Sequence, residues 1–342
     1  MRAIAIREHG GPEVLRFETR PVPEPGPREI RVRVRAVGLN HLDLWVRNGV
    51  PGHTFPLPIV PGCDVAGTVD ALGPGASGFS VGDDVVVAPG ISCGRCLACR
   101  AGDDALCRDY GILGESRDGG CQEQLIVSDV SVFAKPSSLS WEQAAAVPLT
   151  FLTAWHMLKG RARVQPGEYV LVHAAGSGVS AAAIQIAALL GARIITTAGS
   201  DAKCARGLEL GAEEAVNYRA TDFAKEVRRW TGGRGVDVVV DHVGTDTFER
   251  SLRCLAKGGR YVTCGATSGF ELKTDFRLVF FKSLSILGST MGGGHELATV
   301  LALVASGRLR PIVDRVLPLE QISEAHRILA AREVFGKVVL TL

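Results

Sequence analysis

From Tyr169 onward the chain alternates short apolar runs with helix-like stretches, and that alternation leaves its C-terminal half few folds to choose from. The first unit, YVLVHAAGSGVSAAAIQIAALLG, spans Tyr169 to Gly191 and reads as strand, turn, helix. Val170, Leu171 and Val172 suit a strand buried on both faces, and residues 179–190 repeat apolar positions at helical spacing until Gly191. Strand signals follow over 193–198, 214–218, 236–243, 260–265 and 283–289, with helix signals over 201–210, 222–231 and 246–256 between them. The strand runs are continuously apolar, which predicts a parallel sheet with helices on both faces, a doubly wound α/β domain. Such a domain takes its ligand beyond the carboxyl ends of its strands, which is where the turn from Gly176 to Gly178 falls. Both glycines permit positive φ and close backbone approach. Free N–H groups at a helix N-terminus favour an anion, so a phosphate is the expected guest rather than a tight turn alone.

The first half differs. Residues 3–7, 30–37, 65–71 and 84–88 are β-like and separated by turns rich in Pro and Gly at 21–27 and 73–78, the pattern of a compact all-β unit. Ser140 is a suitable N-cap for a helix opening WEQAAAVP, with Glu142 in its first turn. Beyond Gly292, a helix over 296–306 and segments at 313–318 and 337–342 return to the first domain. At 342 residues and 46% hydrophobic, the chain is long enough for two domains with separate cores. Net charge +2 with no Lys/Arg block argues against nucleic acid and for a small-molecule substrate. No stretch reads as a signal peptide or membrane span, so a cytoplasmic protein with no membrane partner is expected.

Residues 91–120 show little periodicity but hold Cys93-x2-Cys96-x2-Cys99-x7-Cys107, four thiols within fifteen positions. Two-residue gaps let neighbouring sulfurs turn inward around one tetrahedral ion, and four soft thiolates select zinc. A closed four-cysteine shell leaves no position for substrate, so this zinc would be structural. The alternatives are four reduced, unliganded thiols and, less suited, an iron–sulfur cluster.

The β-rich first unit, the four-cysteine excursion, AAGSGVSAAAIQIA, TTAGSDAK, ELGAEEAVNY, VDVVVDHVG and the terminal FGKVVL together resemble the medium-chain dehydrogenase/reductase family, of the zinc-binding alcohol dehydrogenase and quinone oxidoreductase type, over essentially the whole chain. This resemblance implies a GroES-like catalytic domain over 1–133, with a zinc lobe at 91–110, completed by 292–342. It also implies a Rossmann domain over 134–291, a nicotinamide cofactor in the cleft between them, and a homodimer or homotetramer built through the Rossmann sheets. Where zinc alcohol dehydrogenases of the family hold a catalytic metal, this chain has Gly38-Leu39-Asn40, Pro61-Gly62-Cys63-Asp64 and a position near Leu149. Only Cys63 and Asp64 remain as ligands, too few for a catalytic zinc unless His41 is recruited. Asn40-x-x-Asp43 and Gly62-x-Asp64 instead resemble the zinc-free quinone oxidoreductase branch.

By the same resemblance, cofactor contacts fall on Thr153, Gly176, Ser177, Gly178, Val179, Ser180, Ser200, Lys203, Tyr218, Val243, Gly265 and Ser289. Ser180 stands where relatives have their last glycine, so either the helix sits farther from its strand or the hydroxyl donates to a phosphate. The second strand ends in Ala198-Gly199-Ser200, without the carboxylate that accepts from an NAD ribose, and Ser200, Lys203 and Tyr218 can serve a 2′-phosphate. NADP(H) is therefore expected over NAD(H). The expected activity is hydride transfer from NADPH to an activated C=C or C=O of a quinone, enone or aldehyde. Asn40 polarises the substrate carbonyl, orients the nicotinamide or is a plain turn residue; Asp43 and Asp64 tie its loop, and Tyr110 or solvent supplies the proton. The alternatives are a zinc alcohol dehydrogenase with an atypical metal site and an NADPH-binding redox sensor or structural protein.

Overall fold

Six of the apolar runs in the second half of the chain become one sheet. The computed structural model describes all residues from Met1 to Leu342 and divides into two units, Met1–Leu149 with Gly293–Leu342, and Thr150–Gly292. In the second unit the strand order is Glu214–Asn217, Arg193–Ala198, Tyr169–Val172, Val236–Asp241, Leu255–Thr263, Ser285–Gly288. Every neighbouring pair is parallel. All carboxyl ends therefore lie along one edge, and the order reverses between Tyr169–Val172 and Val236–Asp241. Leu171, Ile195 and Val239 pack with Phe223, Val227, Phe248 and Leu252 from the covering helices. The alanine-rich helix Gly178–Leu189 lies against the two strands it connects, its small side chains allowing close approach. The helix expected over 246–256 is Phe248–Cys254, and the chain turns extended at Leu255. Gly258, at φ +75°, lies inside that strand, which opens five residues before the one expected from Arg260.

The first unit is built on a sheet ordered Val313–Pro318, Lys337–Thr341, Glu29–Gly38, Asp64–Leu72, Asp84–Val87, Val132–Ala134, with Gln124–Ser128 also paired to Glu29–Gly38. Lys337–Thr341 runs antiparallel to Glu29–Gly38 with Val339 opposite Gly38, so the end of the chain meets the loop at Asn40. Residues 134–149, expected to begin the Rossmann domain, pack here instead. Ala144, Ala145 and Ala146 bury against Ala36, Ala66, Val86 and Val339. A Cβ on Gly38 would lie 2.2 Å from the Ala145 carbonyl oxygen, so glycine is what lets this helix touch the strand. The division accordingly falls after Leu149, because three alanines have their apolar partners in the first sheet. Ser140 caps the helix Trp141–Ala145 with a reciprocal bond to Gln143. Helices His41–Asn48, Arg277–Phe281 and Ile322–Ala330 and a π-helical turn at His156–Arg161 add to the elements expected from the sequence.

Candidate active site

Strand Glu29–Gly38 ends at a buried polar cluster formed by Asn40, Asp43, Asp64 and Lys337. Asp64 opens its strand with a side chain 0% exposed; its Oδ1 accepts from Leu149 N at 2.7 Å, and its Oδ2 accepts from Asn40 Nδ2 at 2.9 Å and Lys337 Nζ at 2.8 Å. Asn40 Oδ1 accepts from Lys337 Nζ at 2.5 Å, while Nδ2 also faces Gly38 O at 3.2 Å and Cys63 Sγ at 3.3 Å. Both amide hydrogens are engaged, so in this arrangement Asn40 has no spare donor with which to polarise a substrate carbonyl. Asp43 accepts from the backbone N–H of Asn40 at 2.7 Å and of Gly62 at 2.9 Å, joining the helix His41–Asn48 to the Gly62 turn. Burial pushes its carboxyl up to about 6, against those two N–H groups.

These contacts decide how the expected ligand positions are filled. Lys337 brings a full positive charge to Asp64, so a divalent ion at Cys63 and Asp64 would meet an ammonium within hydrogen-bonding distance of its carboxylate. Burial holds the Cys63 and Cys121 thiols well above their ordinary range, which keeps both protonated. Leu149 contributes its N–H rather than a ligand, and the His41 ring lies edge-on to Trp45 at 5.6 Å. The donor set suits an ammonium, not a second zinc. Lys337 escaped the sequence reading of the site. The available signal was a lysine opening an otherwise apolar strand, KVVLT, since lysine is almost never buried unpaired. Tyr110 has a buried hydroxyl without a hydrogen-bond partner, and burial raises its pKa, so it keeps its proton.

The four cysteines come together as a cluster. Their sulfurs lie within 4.8 Å of one another, close to the roughly 3.8 Å edge of a tetrahedron with Zn–S bonds of about 2.3 Å. The backbone N–H groups of Arg95 and Cys96 pull the Cys93 thiol down to about 6, and the Ser92 hydroxyl lowers Cys99. Against the backbone N–H of Cys93, burial pushes the Cys107 thiol the other way, up to about 11, so a metal binding all four sulfurs must displace a proton there. The lobe has little else to hold it: paired strands of two residues, Gly90–Ile91 with Gly111–Ile112, and a single turn of helix, Leu97–Arg100.

In the second unit the residues assigned to the cofactor follow the carboxyl ends of the parallel strands, apart from Thr153, which is buried in the helix Pro148–Trp155 with Oγ1 3.8 Å from Met291 Sδ. In the glycine turn, Ala174 takes φ +57°, Ser177 is extended, and Gly178 with Val179 already belongs to the helix, so neither Gly176 nor Gly178 uses the positive φ that both permit. Ser177 caps no first-turn N–H with its side chain, which leaves that helix end suited to an anion. Ser180 does not donate to a phosphate: its hydroxyl donates to His173 O at 2.6 Å and so accepts from His242 Nε2 at 2.9 Å, fully buried. Ser200 accepts from Lys203 N at 3.3 Å and caps the helix Asp201–Glu209. Val243 N donates to Asp241 Oδ1 at 2.6 Å, and Gly265 O accepts from Thr263 Oγ1 at 2.9 Å. Ser289, just past the last strand, has a buried hydroxyl with no partner in the protein. An uncapped helix end and an orphaned hydroxyl along one strand edge fit a nicotinamide dinucleotide.

Residues 26–137 match the alcohol dehydrogenase GroES-like domain, and residues 178–306 match the zinc-binding dehydrogenase domain. The chain is 31% identical to the quinone oxidoreductase of Homo sapiens over 350 residues, covering 100% of this chain and 98% of that protein. It is 33% identical over 349 residues to an NAD-dependent alcohol dehydrogenase of Sulfolobus acidocaldarius, covering 99% of each. A crystal structure of an NAD-dependent alcohol dehydrogenase superposes with TM-score 0.97 at 55% identity over 100% of both chains.

Proposed function

The chain belongs to the medium-chain dehydrogenase/reductase family and is an oxidoreductase, and from that premise we propose that it uses NADPH to reduce an activated C=C or C=O of a quinone, enone or aldehyde. The observation that carries this reading is the closed Asn40–Asp64–Lys337 cluster, where an ammonium balances the carboxylate that a metal site would need. A bound reduced nicotinamide supplies the hydride. Lys337 and Asp64 fix the carboxamide of Asn40, and Asp43 ties the start of its helix to the Gly62 turn, so the loop is rigid before substrate arrives. The helix end at Gly178 receives the pyrophosphate, and the Ser289 hydroxyl is a partner for the nicotinamide amide.

Ser200, Lys203 and Tyr218, with no carboxylate at Ala198-Gly199-Ser200, support NADP(H). One zinc in the cysteine lobe is structural. A homodimer or homotetramer forms through the edge strand Ser285–Gly288, which leaves Ile286 exposed, with Phe280 and Phe281 exposed just before it. Nine unpaired cysteines suit the cytoplasm, and no helix is long and apolar enough to cross a membrane.

The names of two relatives favour a second reading, an NAD-dependent alcohol dehydrogenase. Oxidation of NADPH and of NADH against a quinone, an enone, an enoyl thioester and an aldehyde, with zinc counted on the same preparation, separates the two. The proposal expects NADPH-driven reduction of a quinone, enone or aldehyde and about one zinc per chain. About two zincs per chain with chelator-sensitive alcohol oxidation establishes the second reading instead, and tight NADPH binding with no acceptor turned over makes the protein a sensor or structural protein.

A further inference from the structure

We propose that Arg219 reads the 2′-phosphate of the cofactor and that Asn217 holds it ready while disarming a competing carboxylate; this rests on the NADP(H) reading above. Strands Arg193–Ala198 and Glu214–Asn217 are parallel neighbours with Ala198 opposite Asn217, so their carboxyl ends are level. Gly199, Ser200 and Asp201 leave one strand there, and Tyr218 and Arg219 leave the other. An adenosine ribose belongs at this edge in a doubly wound sheet.

The Asn217 carboxamide works in two directions. Its Nδ2 donates to Asp201 Oδ1 at 2.8 Å, and its Oδ1 accepts from the backbone N–H of Arg219 at 3.1 Å. The first bond ties up one oxygen, Oδ1, of the acidic group nearest the strand end, the type of group that would otherwise accept from a ribose 2′-hydroxyl. The second fixes the backbone from which the arginine projects. A Cβ placed on Gly199 would lie 2.7 Å from Tyr218 Oη and 3.5 Å from Arg219 Nε, so phenol and guanidinium both lie over the Gly199 backbone. Arg193 and Arg229, towards the amino ends of these two strands, pair with Glu213 and Glu226, whereas no carboxylate pairs with Arg219. An unpaired guanidinium beside a glycine, with the local acid already bonded, selects a phosphate over a hydroxyl, because its planar fork bonds two phosphate oxygens at once.

The test needs no turnover. The full chain is titrated calorimetrically with adenosine 2′,5′-bisphosphate and with 5′-AMP, which share everything but the 2′-phosphate. The wild-type chain should bind the bisphosphate at least about tenfold more tightly. Arg219→Ala should weaken the bisphosphate by roughly 10- to 100-fold and leave 5′-AMP unchanged, with Arg219→Lys intermediate. Asn217→Ala should weaken the bisphosphate and tighten 5′-AMP, as Asp201 becomes free to accept from the 2′-hydroxyl. Opposite shifts of the two probes cannot come from general loss of structure. If Arg219→Ala keeps the wild-type discrimination, the role of Arg219 is overturned while the NADP(H) reading stands. If the wild-type chain binds both probes equally, the NADP(H) reading falls and this inference falls with it.

Discussion

The lobe from Cys93 to Cys107 and the cluster around Asp64 belong to the same unit and face the same electrostatic problem, yet they solve it from opposite directions. In the cluster, the compensating cation is a side chain, Lys337, delivered by a strand paired to Glu29–Gly38. The carboxylate it neutralises is saturated by neighbouring N–H groups, and the surroundings are apolar core. In the lobe, four thiols converge with no protein cation among them, and Leu97 and Leu106 stay exposed. One assembly is completed by folding, the other by an ion from solution. Buried charge is tolerated where the fold itself provides the partner, and a segment without a core must import its cross-link.

That contrast can be broken most sharply at the lobe. Cys99→Ser, or chelation of the wild-type chain, should drop zinc from about one per chain to near zero. Structural zinc in small peptides is worth about 10–16 kcal/mol, so the lobe should become rapidly exchanging in amide hydrogen exchange. Unchanged protection over residues 91–110 would mean that packing, not metal, holds it. A smaller but still large effect is expected at the cluster. Lys337→Met leaves Asp64 buried without its cation and should destabilise the chain by about 3–5 kcal/mol in urea unfolding. The double variant with Asp64→Asn should recover part of that loss. A loss below about 1 kcal/mol would show that the ammonium is not what balances the carboxylate.

Gly38→Ala should cost about 1–3 kcal/mol, because the new methyl meets the Ala145 backbone and one element must move. Thermal melts read this directly, and no change in Tm would deny the close approach. The gentlest effect is on the pH profile. Asp43 has a folded pKa near 6, above the ordinary 3.8, so the folded chain binds more protons between those values. Its contribution to stability is therefore largest below about pH 4 and falls as pH rises towards 6. Asp43→Asn should remove that downward slope. The lobe should respond in the opposite sense, releasing zinc as acid protonates its thiolates. A wild-type slope over pH 4 to 6 that survives Asp43→Asn assigns the titration to another group.

The doubly wound sheet was legible because strands buried on both faces are apolar at every position, and the intervening helices carry their own period. The cysteine cluster and the Ser140 cap were legible for a similar reason, since a metal knot or a cap is written within a few residues. Ser180 was not. Its hydroxyl is claimed by His173 O seven residues before it and by His242 sixty-two after it, and neither bond shows until strand and helix are stacked. The boundary at Leu149 was hidden because alanines in a short helix name no partner sheet.

The sequence by itself determined the alternating domain, the four-thiol lobe, the family and the absence of a carboxylate within Ala198-Gly199-Ser200, where the second strand ends. These follow from periodicity and short spacing, which folding preserves. Only the tertiary structure decided that Asn40 is held by Lys337, 297 residues away, and that Asn217 reaches Asp201 beyond the neighbouring strand. Both depend on strand register. Register sets which side chains meet, and that choice is made by the packing of whole sheets rather than by any local run of residues.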